Sequence, residues 1–253
     1  MKTRKLLIVA MALLGCVETA RADEITLIGP GGVKAAVEKL IPAFEKKTGH
    51  KVKATFGSGL GTKKQVASGE PFDVPIVQPP FPEVLASGHV IASSATPLAT
   101  VAVGVAVRTG SPRPDISTPE AVKRMLLGAK SISYPDPSGG AAAGVSFTET
   151  LETLGIAEQM KPKIKLAPGG AAAMAALAKG EVEIGLTFIS EILTEPGVES
   201  VGPLPRAIST PTGLVGFVSA HATSPAAARA LLAYLASPDA AAVFKAVGMT
   251  PGK

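Results

Sequence analysis

A glycine-rich turn between a strand-like run and a helical pattern has residue types and a spacing suited to anion binding. The turn lies in the sequence FGSGLGTKKQVASG at residues 56–69, after an alternating run at 51–56. A helix begins with unpaired N–H groups and the positive end of its dipole, and glycine lets a ligand approach them. Ser58, Gly59 and the next two N–H groups therefore predict an anion site, with an ordinary strand-to-helix turn as the alternative.

Three further strand-to-helix turns are also rich in glycine. They lie at residues 29–32, 138–140 and 169–170, each after an apolar run and before a helical pattern. In open α/β sheets, ligands bind beyond the carboxyl ends of the strands. The four turns therefore fit one anion site shared between two sheets. The pattern G-x-x-x-x-G-K-[ST] does not occur in the sequence, so a nucleotide-binding P-loop is not expected.

Residues suited to other chemistry are few. The three histidines, His50, His89 and His221, fall at the ends of predicted elements, where a surface position is the default. The sequence has no Ser-His-Asp order, no metal-ligand spacing and no carboxylate pair, so we expect no cofactor and no metal. Lys63 follows the glycine-rich turn and either pairs with a ligand carboxylate or lies on a solvated helix face.

The elements that must position these turns follow from the apolar pattern. Strands are predicted at residues 25–28, 51–56, 74–77, 101–107, 131–134, 164–166, 184–188 and 214–219. Helices are predicted at residues 33–48, 82–87, 118–127, 141–154 and 171–179, before Gly69, and from Pro225 and Pro238. Pro42 predicts a kink or a boundary in the first helix. This alternation of strands and helices predicts the α/β class.

Composition and charge argue against nucleic acid as a partner. Tryptophan is absent and aromatic residues make up 4% of the chain, which leaves few surfaces for stacking against bases. Residues 1–22 hold four of the 25 basic residues and one of the 20 acidic ones. Without this segment the net charge falls from +5 to +2, which does not predict a basic binding patch.

The first 22 residues have the pattern of a cleaved signal peptide. Basic residues at 1–5 precede an apolar run at 6–14, and Ala20-Arg21-Ala22 precedes Asp23. The protein is therefore expected in the periplasm. The sequence Leu-Leu-Gly-Cys at 13–16 also resembles a lipoprotein signal, so lipidation at Cys16 is the alternative. Cys16 is the only cysteine of the chain, so no disulfide is expected after cleavage.

The mature sequence resembles type II periplasmic solute-binding proteins, in particular their molybdate-binding branch. The resemblance rests on LIPAFEKKTG at 40–49, GEPFDV at 69–74 and SPAAARALLAYLASPDAAAVFKAVG at 224–248. It implies a monomer with two α/β lobes, each a mixed sheet flanked by helices, and a ligand cleft between them. Residues 23–105 and 213–253 would form lobe one, and residues 106–212 lobe two. The runs at 101–107 and 214–219 would cross between the lobes.

The resemblance also implies a set of ligand-binding residues. In this family, hydroxyls and backbone N–H groups of the four turns hold a tetrahedral oxyanion, together with a tyrosine. The corresponding positions include two departures, because Gly31 and Gly32 replace a serine pair and Phe188 replaces the tyrosine. These positions carry no hydroxyl groups, and the glycines leave more room for a ligand. The resemblance with these departures therefore favours an organic acid over molybdate as the ligand. The implied positions are Gly31, Gly32, Ser58, Gly59, Ser138, Ala143, Ala171 and Phe188.

Two functions remain open on these residues. The first is capture of a small oxyanion or organic carboxylate for an inner-membrane ABC permease. The second is aconitate isomerase, an activity that the same branch includes and that moves a proton along an allylic tricarboxylate. That reaction needs an acid–base group beside a carboxylate site, and Tyr134 and Lys63 are the candidates.

Overall fold

The computed structural model describes residues 22–252, so the predicted leader up to residue 21, with Cys16, lies outside the described residues. The strands are Glu24–Pro30 (β1), Lys51–Gly57 (β2), Val74–Val77 (β3), Thr96–Val101 (β4), Val103–Arg108 (β5), Ile132–Pro135 (β6), Ile164–Ala167 (β7), Ile184–Phe188 (β8), Val198–Pro203 (β9), Thr212–Gly216 (β10) and Thr250–Pro251 (β11). The helices are Gly31–Thr48 (α1), Gly59–Ala67 (α2), Pro82–Ala86 (α3), Pro119–Gly128 (α4), Ala142–Thr153 (α5), Ala157–Met160 (α6), Gly170–Ala178 (α7), Ile189–Ile192 (α8), Pro225–Leu235 (α9) and Pro238–Ala246 (α10).

The strands form two mixed sheets with helices packed on them, which confirms the predicted fold class. The first sheet has the order β11-β4-β10-β3-β1-β2, and the second has the order β7-β6-β8-β5-β9. Strands β1, β2 and β3 are parallel, while β10 runs antiparallel to β3 and β4. In the second sheet β6, β7 and β8 are parallel, while β5 runs antiparallel to β8 and β9.

The chain passes between the sheets at two places. The run at 101–107, predicted as one strand, is divided at Ala102 into the end of β4 and the start of β5, which belong to different sheets. The return follows β9, and β10 begins two residues before the predicted 214. The alternation of apolar residues is the same on both sides of Ala102, so it did not reveal the division. The residue bounds of the two lobes stay a prediction.

Helix α1 continues through Pro42 without a break, so the predicted boundary there is wrong. Pro42 lies on the exposed side and removes one backbone hydrogen bond. The buried stripe of α1 extends on both sides of the proline, from Val33 to Phe44, and packing of that stripe outweighs the lost bond. The helix ends at Gly49, whose φ of 78° and N–H bond to the Glu45 oxygen form the expected cap.

Buried Asp73 joins separate segments of the first sheet's core. Its carboxylate accepts hydrogen bonds from the N–H and hydroxyl of Thr26 in β1, at 2.8 and 2.7 Å. It also accepts bonds from the N–H and hydroxyl of Thr223 before α9, at 2.7 and 3.0 Å. Burial alone would raise the pKa of Asp73, but these four bonds together lower it.

Within residues 22–252 the helices are too short or too polar to span a membrane.

Candidate functional site

Three of the four glycine-rich turns meet at one cleft of about 540 Å³, and Pro135 and residues 141–143, which flank the turn at 138–140, complete its lining. Each turn follows a parallel strand at its carboxyl end, namely β1, β2, β6 and β7, and precedes α1, α2, α5 and α7. Two of these strands belong to each sheet, so the cleft lies between the sheets. The predicted residues that line it are Gly31, Gly32, Ser58, Gly59, Ala143, Ala171 and Phe188.

Three of the four helices begin at the cleft without a side-chain cap. Helices α1, α5 and α7 have no side-chain hydrogen bond at their N-termini, which leaves the N–H groups of their first turns unpaired by side chains. Unpaired N–H groups and the positive ends of three helix dipoles attract an anion. Lys34, the fourth residue of α1, adds a cation to the lining and lies 3.8 Å from Glu38, which also lines the cleft.

Helix α2 contributes fewer donors than the sequence suggested. The Ser58 hydroxyl accepts a hydrogen bond from the Gly61 N–H at 3.1 Å, which caps the helix. The Leu60 N–H donates to the Gly140 oxygen at 3.1 Å, across the cleft. Of the three N–H groups expected to hold the anion, only that of Gly59 has no acceptor among residues 22–252. The Ser58 hydroxyl keeps its own proton available for a ligand.

Gly32 and Phe188, where the resemblance implies departures from the family's residues, fit each other in space. A Cβ atom at Gly32 would lie 2.8 Å from a ring carbon of Phe188, so the ring occupies the room that a serine there would need. A Cβ atom at Gly31 would lie 3.2 Å from an oxygen of Glu191. The expectation of spare room at these glycines is therefore wrong. The Ser190 hydroxyl donates to the Gly32 oxygen at 2.8 Å and joins α8 to α1 at the same place.

Glu191 places a carboxyl group in the cleft, and sequence reasoning missed it. One of its oxygens accepts a hydrogen bond from the Thr187 hydroxyl at 2.5 Å. A side chain at Gly170, the first residue of α7, would collide with this carboxyl group. Burial raises the pKa of Glu191 above its ordinary value, and the hydrogen bonds from Thr187 and the Phe188 backbone only partly oppose it. Carboxyl groups whose pKa is raised by burial are candidates for proton transfer to or from a ligand.

Gln78 is a second lining residue that the sequence did not indicate. It follows β3 directly and is 3% exposed. Neither its Nε2 nor its Oε1 atom has a hydrogen-bond partner among the described residues. The position after the carboxyl end of a fully apolar strand was the available indication, since ligands bind at such ends.

Three predicted residues do not line the cleft. Ser138 is exposed, and its hydroxyl donates to Asp136 at 2.8 Å. Tyr134 is buried against Phe147, with ring centroids 4.9 Å apart. Lys63 donates to the Pro80 oxygen at 2.8 Å and lies 3.8 Å from Glu83. The geometry thus separates Tyr134 and Lys63 from the four turns.

The sequence model of a family described as bacterial extracellular solute-binding proteins matches residues 25–250. The chain belongs to this family. It is 32% identical over 234 residues to an aconitate isomerase from Pseudomonas sp, covering 90% of this chain and 87% of the relative. It is 29% identical over 248 residues to the molybdate-binding protein ModA of Azotobacter vinelandii, covering 96% of each chain.

Comparison with solved structures confirms the fold of this family member. The structure of the periplasmic molybdate-binding protein of Azotobacter vinelandii superposes with a TM-score of 0.76 at 21% identity. The match covers 90% of this chain and all of the other. The protein therefore has the two-sheet architecture of type II periplasmic binding proteins.

Proposed function

We propose that the protein captures a small organic anion bearing carboxylate groups in the cleft between its two sheets. The observation that carries this proposal is the meeting of α1, α5 and α7, each without a side-chain cap, at one cavity. Their N–H groups supply donors for carboxylate oxygens without requiring a buried cation. Lys34 adds a positive charge to the lining, and Glu38, its ion-pair partner and also a lining residue, offsets it.

An organic carboxylate fits this cleft better than a compact inorganic oxyanion does. The volume of about 540 Å³ lies within the ordinary range for organic ligands. Phe188 offers an apolar ring, 3% exposed, where a hydroxyl would serve an inorganic oxyanion. Glu191 in its ionised form repels any anion, while its raised pKa favours the neutral form, which donates to one. The carbon skeleton of an organic acid would contact the ring, and its carboxylates would contact the helix N-termini.

A binding protein of this family serves transport, and we propose the same here. The mature chain would begin at Asp23 in the periplasm and deliver its ligand to an inner-membrane ABC permease as a monomer. Intact-mass measurement of protein from the periplasm tests the start of the chain. A diacylglyceryl-modified Cys16 at the N-terminus would show instead that the mature protein is a lipoprotein that begins at Cys16.

A thermal-shift screen of the mature protein tests the binding proposal. Dicarboxylates and tricarboxylates are compared with sulfate and phosphate at matched charge and ionic strength. A ligand that binds only the folded state at a hundredfold excess over Kd stabilises it by about 2.7 kcal/mol, which shifts the melting temperature measurably. The proposal expects such shifts from carboxylates. Shifts confined to the inorganic anions would exclude it.

Glu191 favours a second candidate function, isomerisation of an unsaturated carboxylate such as aconitate. In that reaction a base removes a proton from the methylene carbon, the double bond moves by one position, and a proton returns to the former vinylic carbon. A carboxyl group with a raised pKa suits both transfers, and helix N-termini stabilise the charge that develops on the neighbouring carboxylate. The 32% identical relative named an aconitate isomerase motivates this choice of substrate.

The second candidate is tested by following cis- and trans-aconitate by NMR in the presence of the protein. Interconversion at a rate proportional to protein concentration supports it. Glu191→Gln should then abolish turnover while aconitate still binds. Tyr134→Phe, a substitution outside the cleft, serves as the matched control and should retain turnover. Absence of interconversion despite measurable binding of aconitate would leave capture as the function.

A further inference from the structure

The unpaired carboxamide of Gln78 is the feature of the cleft that the proposed capture of a carboxylate does not explain. Gln78 is 3% exposed, lies at the carboxyl end of β3 and lines the cleft. Both polar atoms of its side chain lack a hydrogen-bond partner within the described part of the chain. A buried carboxamide with neither atom paired is rare in folded proteins, because burial removes its bonds to water.

The surrounding backbone is shaped to admit this side chain. A Cβ atom at Gly59 would collide with the Gln78 carboxamide, so a larger residue at the start of α2 would displace the carboxamide from its present position. The same Cβ atom would lie 3.4 Å from the Cβ of Ala142, which begins α5. The carboxamide therefore lies beside the N-termini of two helices that come from different sheets. A ligand held by either helix is within reach of it.

The chemistry of the carboxamide distinguishes Gln78 from the other groups of the site. The helix N-termini and the Ser58 hydroxyl can donate hydrogen bonds to an anion. Gln78 presents one donor, Nε2, and one acceptor, Oε1. A fully ionised carboxylate without a hydroxyl or amino group offers only acceptors, so it pairs Nε2 and leaves Oε1 buried and unpaired. A ligand that pairs both atoms carries a hydrogen-bond donor, and in an organic acid without nitrogen that donor is an O–H group.

We propose that Gln78 is a specificity-determining residue that binds an O–H group of the ligand. The ligand is then an organic acid that combines a carboxylate with either an alcohol or an un-ionised carboxyl group. The carboxylate takes the helix N-termini, the O–H group donates to Oε1, and another oxygen of the ligand accepts from Nε2. This inference rests on the proposed function, since it assigns a ligand class to the same cleft.

Matched pairs of acids that differ by one hydroxyl test the alcohol. Malate is compared with succinate, and citrate with tricarballylate, by isothermal titration of the mature protein. We expect the hydroxylated member of at least one pair to bind about tenfold tighter or more, because the analogue leaves a buried acceptor unpaired. Gln78→Met, which keeps the volume and removes both polar atoms, should reduce that preference to less than about twofold. Gln159→Met, at an exposed glutamine of α6, should leave it unchanged.

An un-ionised carboxyl group is distinguished by pH. In that case the paired acids bind the wild-type protein equally, and affinity rises as the pH falls toward the pKa of the ligand. Gln78→Met should reduce this rise to the part that protonation of Glu191 in the same cleft contributes, while Gln159→Met retains it in full. The melting temperature of unliganded Gln78→Met should equal or exceed that of the wild type, since its carboxamide makes no hydrogen bond in the fold.

Two outcomes overturn the inference while leaving the proposed function intact. The first is binding of a carboxylate with the same affinity and pH dependence in wild type and Gln78→Met. The second is a lower melting temperature of unliganded Gln78→Met than of the wild type, which would assign the carboxamide a structural role. Failure of every carboxylate to bind the wild-type protein would instead contradict the proposed function.

Discussion

Replacing Ser58 with alanine separates two roles of one hydroxyl group. The Ser58 hydroxyl accepts the Gly61 N–H at 3.1 Å and caps α2, and its own proton remains available for a ligand in the cleft. Loss of an N-cap destabilises a protein by about 1 kcal/mol, which lowers the melting temperature of a chain of this size by about 2–4 °C. Loss of a hydrogen bond to a charged ligand adds about 1.5–3 kcal/mol to the free energy of binding, or roughly tenfold to a hundredfold in Kd.

Ser237 provides a matched control for this substitution. Its hydroxyl caps α10 by accepting the Ala240 N–H at 3.3 Å, and it does not line the cleft. Melting temperatures of the unliganded variants and titration with a carboxylate ligand measure the two effects. Ser58→Ala and Ser237→Ala should lose similar stability, and only Ser58→Ala should lose affinity. Equal affinities in both variants would refute the assignment and leave Ser58 as a cap alone.

Substitutions at four further residues test other parts of the account. Gly32→Ala places a Cβ atom 2.8 Å from the Phe188 ring and should destabilise the protein by about 1–3 kcal/mol through overpacking. The double variant Gly32→Ala/Phe188→Leu should lose less stability than the sum of the two single variants, because the smaller side chain leaves room for the new Cβ atom. A double-mutant cycle of melting temperatures measures this difference. In the wild type, the raised pKa of Glu191 lets the folded state hold a proton above pH 4.5 that the unfolded state releases, so stability falls as the pH rises. Glu191→Gln should show a smaller fall when thermal unfolding is followed from pH 4.5 upward; an unchanged profile would contradict the pKa assignment. Asp73→Asn should lower the free energy of unfolding by about 2 kcal/mol or more in a urea titration at neutral pH. Because hydrogen bonds keep the pKa of Asp73 low, the stability that its carboxylate contributes should be lost as the pH falls. A difference in unfolding free energy between wild type and Asp73→Asn that stays constant with pH would argue against this role of Asp73.

The fold could be predicted because its determinants are local. A few neighbouring residues are enough to recognise each glycine-rich turn, each alternating strand and each amphipathic helix. The order of these elements along the chain then indicates the α/β class. The carboxyl-end rule for α/β sheets then places the four turns together. Seven of the eight residues expected to bind the ligand line the cleft, and their contact with a ligand stays a prediction.

The remaining details depend on contacts between distant segments. The fit between Gly32 in α1 and the Phe188 ring at the end of β8 joins segments that are distant in the chain, so the sequence alone does not indicate it. Gln78 and Glu191 are ordinary polar residues beside apolar runs until the fold buries them in the cleft. Tyr134 packs on Phe147 because its side chain lies on the face of β6 that α5 covers. The alternation along a strand does not show which of its two faces the helix will cover.

Isothermal titration of the mature protein with molybdate and with the best carboxylate from the thermal-shift screen tests the central claim most directly. The claim is that the cleft accepts an organic carboxylate through helix N-termini and has no hydroxyl at Gly32 and Phe188, where a compact oxyanion would need one. We predict a saturating heat signal with a stoichiometry of about one for the carboxylate, because one cleft holds one ligand, and no measurable binding of molybdate or tungstate. Tight binding of molybdate would contradict the claim, because it would show that backbone donors alone suffice and that the loss of hydroxyls at Gly32 and Phe188 does not decide the ligand.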